Sequence, residues 1–152
     1  MRNITRLSLA VCLSILIFGS CNNPTNKSTS TQSDYSNLAD FWKDFKNAAI
    51  AKDYKQITEF TDFPFLNHGT YMMNKTEFES FSFPDYIITP LKTAESPVNS
   101  DMEFGGGTDI DGNIVEVNFT KGTLYEVDCD GPALYFSKID DEWKFVAILY
   151  GE

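Results

Sequence analysis

Residues 133–150 read ALYFSKIDDEWKFVAILY, and this stretch decides the predicted fold. Two apolar runs, 133–139 and 143–150, flank the turn signal Asp140-Asp141, which is the pattern of an antiparallel hairpin. The odd-numbered side chains from Trp143 to Leu149 are predicted on one face of the second strand. Both alternating sets become apolar toward residue 150, so we expect this strand to be central and covered on both sides.

An alternation of apolar and polar side chains, with a period of two residues, also precedes this hairpin in the chain. It begins at Ile110, and Lys121-Gly122 forms a tight turn into a strand over Leu124–Asp128. The side chains predicted on the inner face of the preceding strand are Val115, Val117 and Phe119. These runs bring the expected antiparallel sheet to about four to five strands.

Residues 93–108 are polar and rich in glycine, and they are predicted to form a long loop. Their Gly105-Gly106-Gly107 run lacks the following Lys-Ser/Thr and the preceding strand of a phosphate-binding loop. The next residues, Asp109 to Asn113, have the acidic and glycine composition of a calcium-binding loop. Their spacing places Gly107 and Asn118 where an EF-hand needs charged ligands, so a hairpin turn at Asp111-Gly112 is the better interpretation.

The first half of the chain predicts helices. The first should run from a Ser36 cap to about Lys52, with apolar side chains recurring every three or four residues. Its apolar positions are Leu38, Phe41, Trp42, Phe45, Ala48 and Ala49. A short helix is predicted from Asp53, with Tyr54, Ile57 and Phe60 facing inward, and Pro64 stops it. Asn74 and Glu77 form a capping box before a third helix that carries Phe78 and Phe81. A further turn begins at Pro84. Helices followed by strands predict an α+β fold with an antiparallel sheet.

Three segments together resemble a known fold family. They are FWKDFKNAAIAKDYKQITEFTDFPF (41–65), MNKTEFESF (73–81) and YFSKIDDEWKF (135–145). Their order and spacing resemble the NTF2-like, or SnoaL-like, domains, and the resemblance covers most of residues 36–150. It implies N-terminal helices packed into a cone by a curved antiparallel sheet. In that family the cone holds a ligand, an active site or only side chains, so the fold leaves the function open.

The N-terminus predicts export and a lipid anchor. Arg2 and Arg6 precede the apolar run Leu7 to Phe18, whose twelve residues are shorter than the ~20 that span a bilayer. The following Gly19-Ser20-Cys21 resembles the lipobox of bacterial lipoproteins, although Phe18 stands where that family has Leu, Val or Ile. The resemblance implies that residues 1–20 are a signal peptide, and that Cys21 carries diacylglycerol and a fatty acid such as palmitate.

The rest of the chain divides into a tether and a domain. Residues 21–34 are the predicted lipidated cysteine and disordered tether, since NNPTNKSTSTQS (22–33) has no hydrophobic side chain. A flexible coil of this length reaches ~20 Å. No acidic cluster follows Cys21, which favours the outer membrane facing the periplasm. Residues 35–152 are predicted to form a single α+β domain.

Charge and cysteine content exclude several classes of function. Two of the twelve basic residues precede Cys21 and all 22 acidic ones follow it, so the cleaved chain has a net charge of −12. Such a chain is unsuited to nucleic acid, whose phosphates require basic side chains. Cys129 is the one cysteine of the domain, which excludes an internal disulfide. With His68 as the one histidine, no zinc site of the usual type can be built.

No catalytic motif stands out, and we expect no cofactor and no metal. The 21 aromatic residues after cleavage suit either an apolar pocket or simply a dense core. The prediction is therefore a non-catalytic module that binds a small apolar ligand or an envelope protein. The alternative is a cone-pocket isomerase with a buried carboxylate and a Tyr donor. The candidate pocket residues are His68, Tyr71, Tyr86 and Tyr125.

Overall fold

The computed structural model describes residues 37–151, in which four helices pack against an eight-stranded sheet. The predicted signal peptide, Cys21 and the tether therefore lie outside the described residues. The helices are α1 (Leu38–Ala51), α2 (Tyr54–Phe60), α3 (Lys75–Ser80) and α4 (Asp85–Leu91). The strands are β1 (Thr61–Asn67), β2 (Tyr71–Met73), β3 (Val98–Asn99), β4 (Phe104–Thr108), β5 (Ile114–Phe119), β6 (Leu124–Asp128), β7 (Pro132–Ile139) and β8 (Glu142–Tyr150).

Side-chain caps explain where the helices begin. The Asn37 side chain accepts the N–H of Ala39 at 2.8 Å, so Asn37 caps α1 and the predicted Ser36 cap is wrong by one residue. Asp53 caps α2 as predicted. The capping box of Asn74 and Glu77 is confirmed, with both reciprocal hydrogen bonds present at the start of α3. That helix ends at Ser80, so Phe81 follows it and does not lie within it.

The sheet is larger than predicted and is mixed. Its strand order is β3-β6-β7-β8-β1-β2-β4-β5, with β1 parallel to β8 and β2 parallel to β4. The prediction of four to five antiparallel strands is therefore wrong in number and in direction. The unexpected β1 begins directly after α2 ends at Phe60, so Pro64 lies inside a strand and does not stop the helix. The coarser α+β assignment holds.

The predicted loop over 93–108 is also wrong, because it contains β3 and β4. Glycine is required in β4 by close packing between strands. A Cβ on Gly107 would overlap the carbonyl oxygen of Thr70 and lie 2.7 Å from its carbonyl carbon. The glycine run thus lets β4 approach the backbone before β2, where the N–H of Thr108 donates to Thr70 at 2.8 Å.

The last strand is central as predicted, but its faces switch at a bulge. Tyr135 pairs with Ala147 and Phe136 with Phe145, which leaves Val146 as an extra residue. Phe145 and Ile148 consequently face the helices, whereas Val146 and Ala147 face the other side. The strict odd-even alternation predicted over 143–150 is corrected by this one-residue insertion.

Both faces of the sheet carry apolar side chains, which form two clusters. The first lies between the helices and the sheet. The second lies on the opposite face and is smaller. Its buried members are Leu66, Met72, Phe104, Leu124, Tyr135, Val146 and Ala147, with Val115, Val117, Phe119, Ala133 and Leu149 partly buried against them. No helix within residues 37–151 has the length and apolar character needed to cross a membrane.

Candidate functional site

The space between the helices and the sheet is occupied by aromatic rings. Phe45, Phe136 and Phe145 are each 0% exposed. The Phe45 ring centroid lies 5.1 Å from that of Phe136 and 5.0 Å from that of Phe145. Phe65 approaches Phe145 from the β1 side at 4.7 Å. Side chains therefore fill the region where the NTF2-like resemblance would place a ligand.

The acid–base groups of a pocket enzyme are not assembled in this region. The buried polar side chains of residues 37–151 are those of Thr58, Thr61, Ser100 and Ser137, and none is a carboxylate. Asp62 is partly buried, and desolvation raises the pKa of its carboxyl. The backbone N–H of Phe63 and the charge of Lys144 oppose that rise. The charge of Asp140 adds to the rise, so the net shift is upward, but Asp62 is not among the fully buried side chains of the described residues.

The four candidate pocket residues make different contacts in the structure. His68 and Tyr86 both contact Tyr150, with ring centroids 5.2 Å and 6.0 Å away. This group lies at the surface, since Tyr86 is 56% exposed. His68 is in the left-handed turn between β1 and β2. Burial, together with a hydrogen bond to Tyr86, raises the pKa of the Tyr150 hydroxyl.

Tyr71 and Tyr125 have other partners, although Tyr71 lies near His68, since it pairs with Asn67 across the same turn. The Tyr71 hydroxyl donates to Glu77 Oε1 at 2.9 Å, which raises the pKa of Tyr71 and links β2 to the capping box of α3. Tyr125 packs edge-on against Trp143 at 4.9 Å. The hydroxyl of Tyr71 and the ring of Tyr125 are therefore engaged in separate contacts.

Two depressions on the described surface are open and shallow. One, of about 340 Å³, has the carboxylates of Glu95, Glu126, Asp128 and Asp130 along its wall. Glu126 Oε2 accepts the hydroxyl of Ser100 at 2.6 Å, so this carboxylate already has a partner. Among residues 37–151, no group of three or more His, Cys, Asp or Glu side chains could hold a metal ion.

Cys129 borders the same depression, but the residue is only 1% exposed, so burial shields its thiol from reagents. Burial, with the charges of Asp128 and Asp130, raises the pKa of the Cys129 thiol to about 11. At pH 8 the thiolate fraction should be about 100-fold lower than for an ordinary cysteine of pKa 9.0. We expect a thiol reagent at pH 8 to label the native C12S/C21S chain at least about 100-fold more slowly than the same chain in urea. Equal labelling rates would contradict this burial.

The feature that sequence reasoning missed is the exposed apolar tip of the hairpin that β4 and β5 form over residues 104–119. Its turn projects two large apolar side chains into solvent: Ile110 is 69% exposed and Ile114 is 82% exposed. Exposed apolar side chains mark a contact surface where they form a patch, and these two lie within two residues of the same turn. Their positions beside the Asp111-Gly112 turn were the sequence signal that could have revealed their exposure.

A network around Asp109 holds this turn in one conformation. Asp109 Oδ1 accepts the N–H groups of Asp111 at 3.0 Å and Asn113 at 2.8 Å, and Oδ2 accepts the Asn113 amide at 2.9 Å. The Asn113 side-chain bond and then the backbone bonds lower the pKa of the Asp109 carboxyl. The stabilisation of the turn is thus present above the ordinary pKa of 3.8 and is lost as the pH falls through the lowered value. The predicted hairpin turn is confirmed, and it presents a pre-organised tip.

No protein-family model, no curated protein and no solved structure resembles this chain significantly.

Proposed function

We propose that this protein is a non-catalytic interaction module, anchored to an envelope membrane, whose β4–β5 hairpin contacts a partner protein. One observation carries the proposal: Ile110 and Ile114 are held in solvent by the Asp109 network at the tip of the hairpin. Burying such side chains against a partner stabilises a complex by about 1.5–3 kcal/mol each.

The filled interior supports an interaction through the surface over the other two functions considered. A small apolar ligand would need the volume that Phe45, Phe136 and Phe145 occupy. A cone-pocket isomerase would need a buried carboxylate, and Asp62, the described carboxylate whose pKa burial raises, is only partly buried. The finer fold assignment that we propose is an NTF2-like arrangement in which aromatic side chains replace the ligand.

The anchor is the second part of the proposal. The lipobox-like Gly19-Ser20-Cys21 would place the lipid on Cys21, and the acyl chains would hold the protein on the membrane almost permanently. The tether of ~20 Å would then let the hairpin reach partners near the surface of the outer membrane, on its periplasmic side. Replacing Cys21 with serine should move the full chain from the membrane fraction to the soluble fraction.

Site-specific photocrosslinking in the cell tests the interaction. A photoreactive residue replaces Ile114 in the full-length chain, expressed in its own envelope, and Glu59 on α2 serves as the exposed control position. We expect irradiation to yield one or a few discrete crosslinked polypeptides from position 114 and none from position 59. No crosslink at 114, or the same products from both positions, would refute the proposed function.

A further inference from the structure

The free edge of β5 differs from the other end of the sheet. The strand order places β3 and β5 at the two ends, so no described strand pairs with the outer side of either. Natural edges are usually protected by shortness, lysine or proline. Strand β3 has two residues and follows Pro97, whereas the six residues of β5, IVEVNF, include no Lys, Arg or Pro. Charged side chains and bulges also protect edges. The β5 edge has one charge, Glu116, and the bulge of its hairpin lies beyond that residue, so Ile114 to Glu116 is the longer regular edge open to a further strand.

The hydrogen-bond register shows which backbone groups face outward. The N–H of Asp109 donates to Asn113, so Asp109 and Asn113 form a bonded pair at the turn. Bonded and non-bonded pairs alternate along an antiparallel ladder, and Ile114 pairs with Thr108 as the next, non-bonded position. By the same alternation, Glu116 also directs its N–H and C=O away from β4. The register shift of this hairpin lies beyond Glu116, so the outward-facing segment is regular.

The side chains of β5 indicate what an added strand would contain. Val115, Val117 and Phe119 line the rim of the second apolar cluster and remain only partly buried. On the other face, Glu116 is exposed. The hairpin 104–119 carries three carboxylates, including Asp109 and Glu116, and no basic residue. The nearest basic residue along the chain, Lys121, is paired with Asp101 at 3.0 Å.

We propose that the β5 edge binds an extended segment of the partner as an additional strand, with alternating apolar and basic side chains. The apolar ones would complete the rim at Val115 and Val117, and a basic one would lie opposite Glu116. This inference rests on the proposed function and names the class of partner segment. Main-chain bonds to Ile114 and Glu116 would supply affinity, and the charge would supply selectivity.

A synthetic peptide provides the probe. Acetyl-TVKVKVT-amide is titrated, with fluorescence detection, into the full-length lipidated chain in an uncharged detergent, beside the matched peptide TVEVEVT. We expect saturable binding of the lysine peptide alone. E116K should weaken that binding about tenfold and should gain affinity for the glutamate peptide, because the cross-strand charges are reversed.

Two further readouts separate strand addition from general attraction to an acidic protein. N-methylation of the peptide on one alternating set of amides should abolish binding, whereas methylation of the other set should leave it nearly unchanged. Hydrogen exchange at the amide of Glu116 should slow when the lysine peptide binds.

The proposal fails if the lysine peptide does not bind saturably. It also fails if this peptide binds wild type and E116K equally, or if both methylated forms bind alike. Those results would leave the crosslinks from position 114 intact, so the strand-addition mode would be excluded while the interaction function survived. Absence of those crosslinks would instead remove the proposed function itself.

Discussion

Replacing Phe145 with alanine is expected to lower the free energy of unfolding by about 4 kcal/mol. The side chain is 0% exposed and lies at the centre of the first apolar cluster. Five rings surround it, with centroids between 4.7 and 6.4 Å away: Phe45, Phe65, Phe78, Phe83 and Phe136. Because helices, β1 and β7 all contribute to that shell, the surroundings cannot collapse fully into the space left by the ring.

Urea denaturation of the wild type and F145A measures this effect. F63A is the matched control, because Phe63 is only partly buried and packs on Phe78 at 5.5 Å. We expect F63A to cost about 1–2 kcal/mol, less than F145A. If folded, F145A should also bind benzene in the new cavity, whereas the wild type should not. A loss in F145A no greater than in F63A, or benzene binding by the wild type, would show that the interior is not filled as described.

Replacing Gly107 with alanine is expected to cost about 3 kcal/mol, which lowers the melting temperature by about 10–15 °C. The added methyl group would overlap the carbonyl oxygen of Thr70, which is backbone and cannot rotate away. The contact belongs to the junction where β4 meets the backbone before β2, so the hairpin should loosen from the sheet. Hydrogen exchange at the Thr108 amide, which donates to Thr70, should accelerate.

Gly105 offers the control two residues earlier in the same strand. A Cβ there would meet no atom within 4 Å, so G105A should change the melting temperature by only a few degrees. Differential scanning calorimetry of the two variants decides the matter. Equal losses in G105A and G107A would mean that strand propensity, and not the approach to Thr70, explains the glycine run.

Local patterns were sufficient for the elements that carry them over several residues. The apolar repeat predicted α1, and the capping box predicted the start of α3 to the residue. The last strands were predicted because each is long and bounded by Gly or Asp turns, and β6 has the predicted bounds of Leu124–Asp128. In these segments the side-chain period and the turn chemistry agree.

The missing strands depend on contacts between distant parts of the chain. Strands β2 and β3 have three and two residues, too few for a period of two to be read. The glycines of β4 have the composition of a loop, and only the fold makes two of them necessary: Gly107 approaches Thr70, and Gly106 has a positive φ and approaches Val115. The bulge at Val146 is likewise set by pairing with β7, which the sequence of β8 alone does not reveal.

The contacts of the four candidate pocket residues could not be read from the sequence for a similar reason. Spacing along the chain does not show what each side chain will contact, so the Glu77 partner of Tyr71 and the Trp143 partner of Tyr125 follow only from the fold. The hairpin tip was within reach of sequence reasoning. Ile110 and Ile114 lie on either side of the Asp111-Gly112 turn. Side chains beside a turn are commonly exposed, and both of these large apolar ones are exposed in the structure.

Our central claim is that this domain works through its surface and not through its interior. Native mass spectrometry tests that claim most directly. The full-length lipidated chain is extracted from its own envelope in mild detergent, as wild type and as I114K. We expect the wild type to retain a second polypeptide at reproducible stoichiometry and I114K to lose it while remaining folded. A small molecule retained by both chains, with no polypeptide on either, would contradict the surface interaction and return the search to the interior.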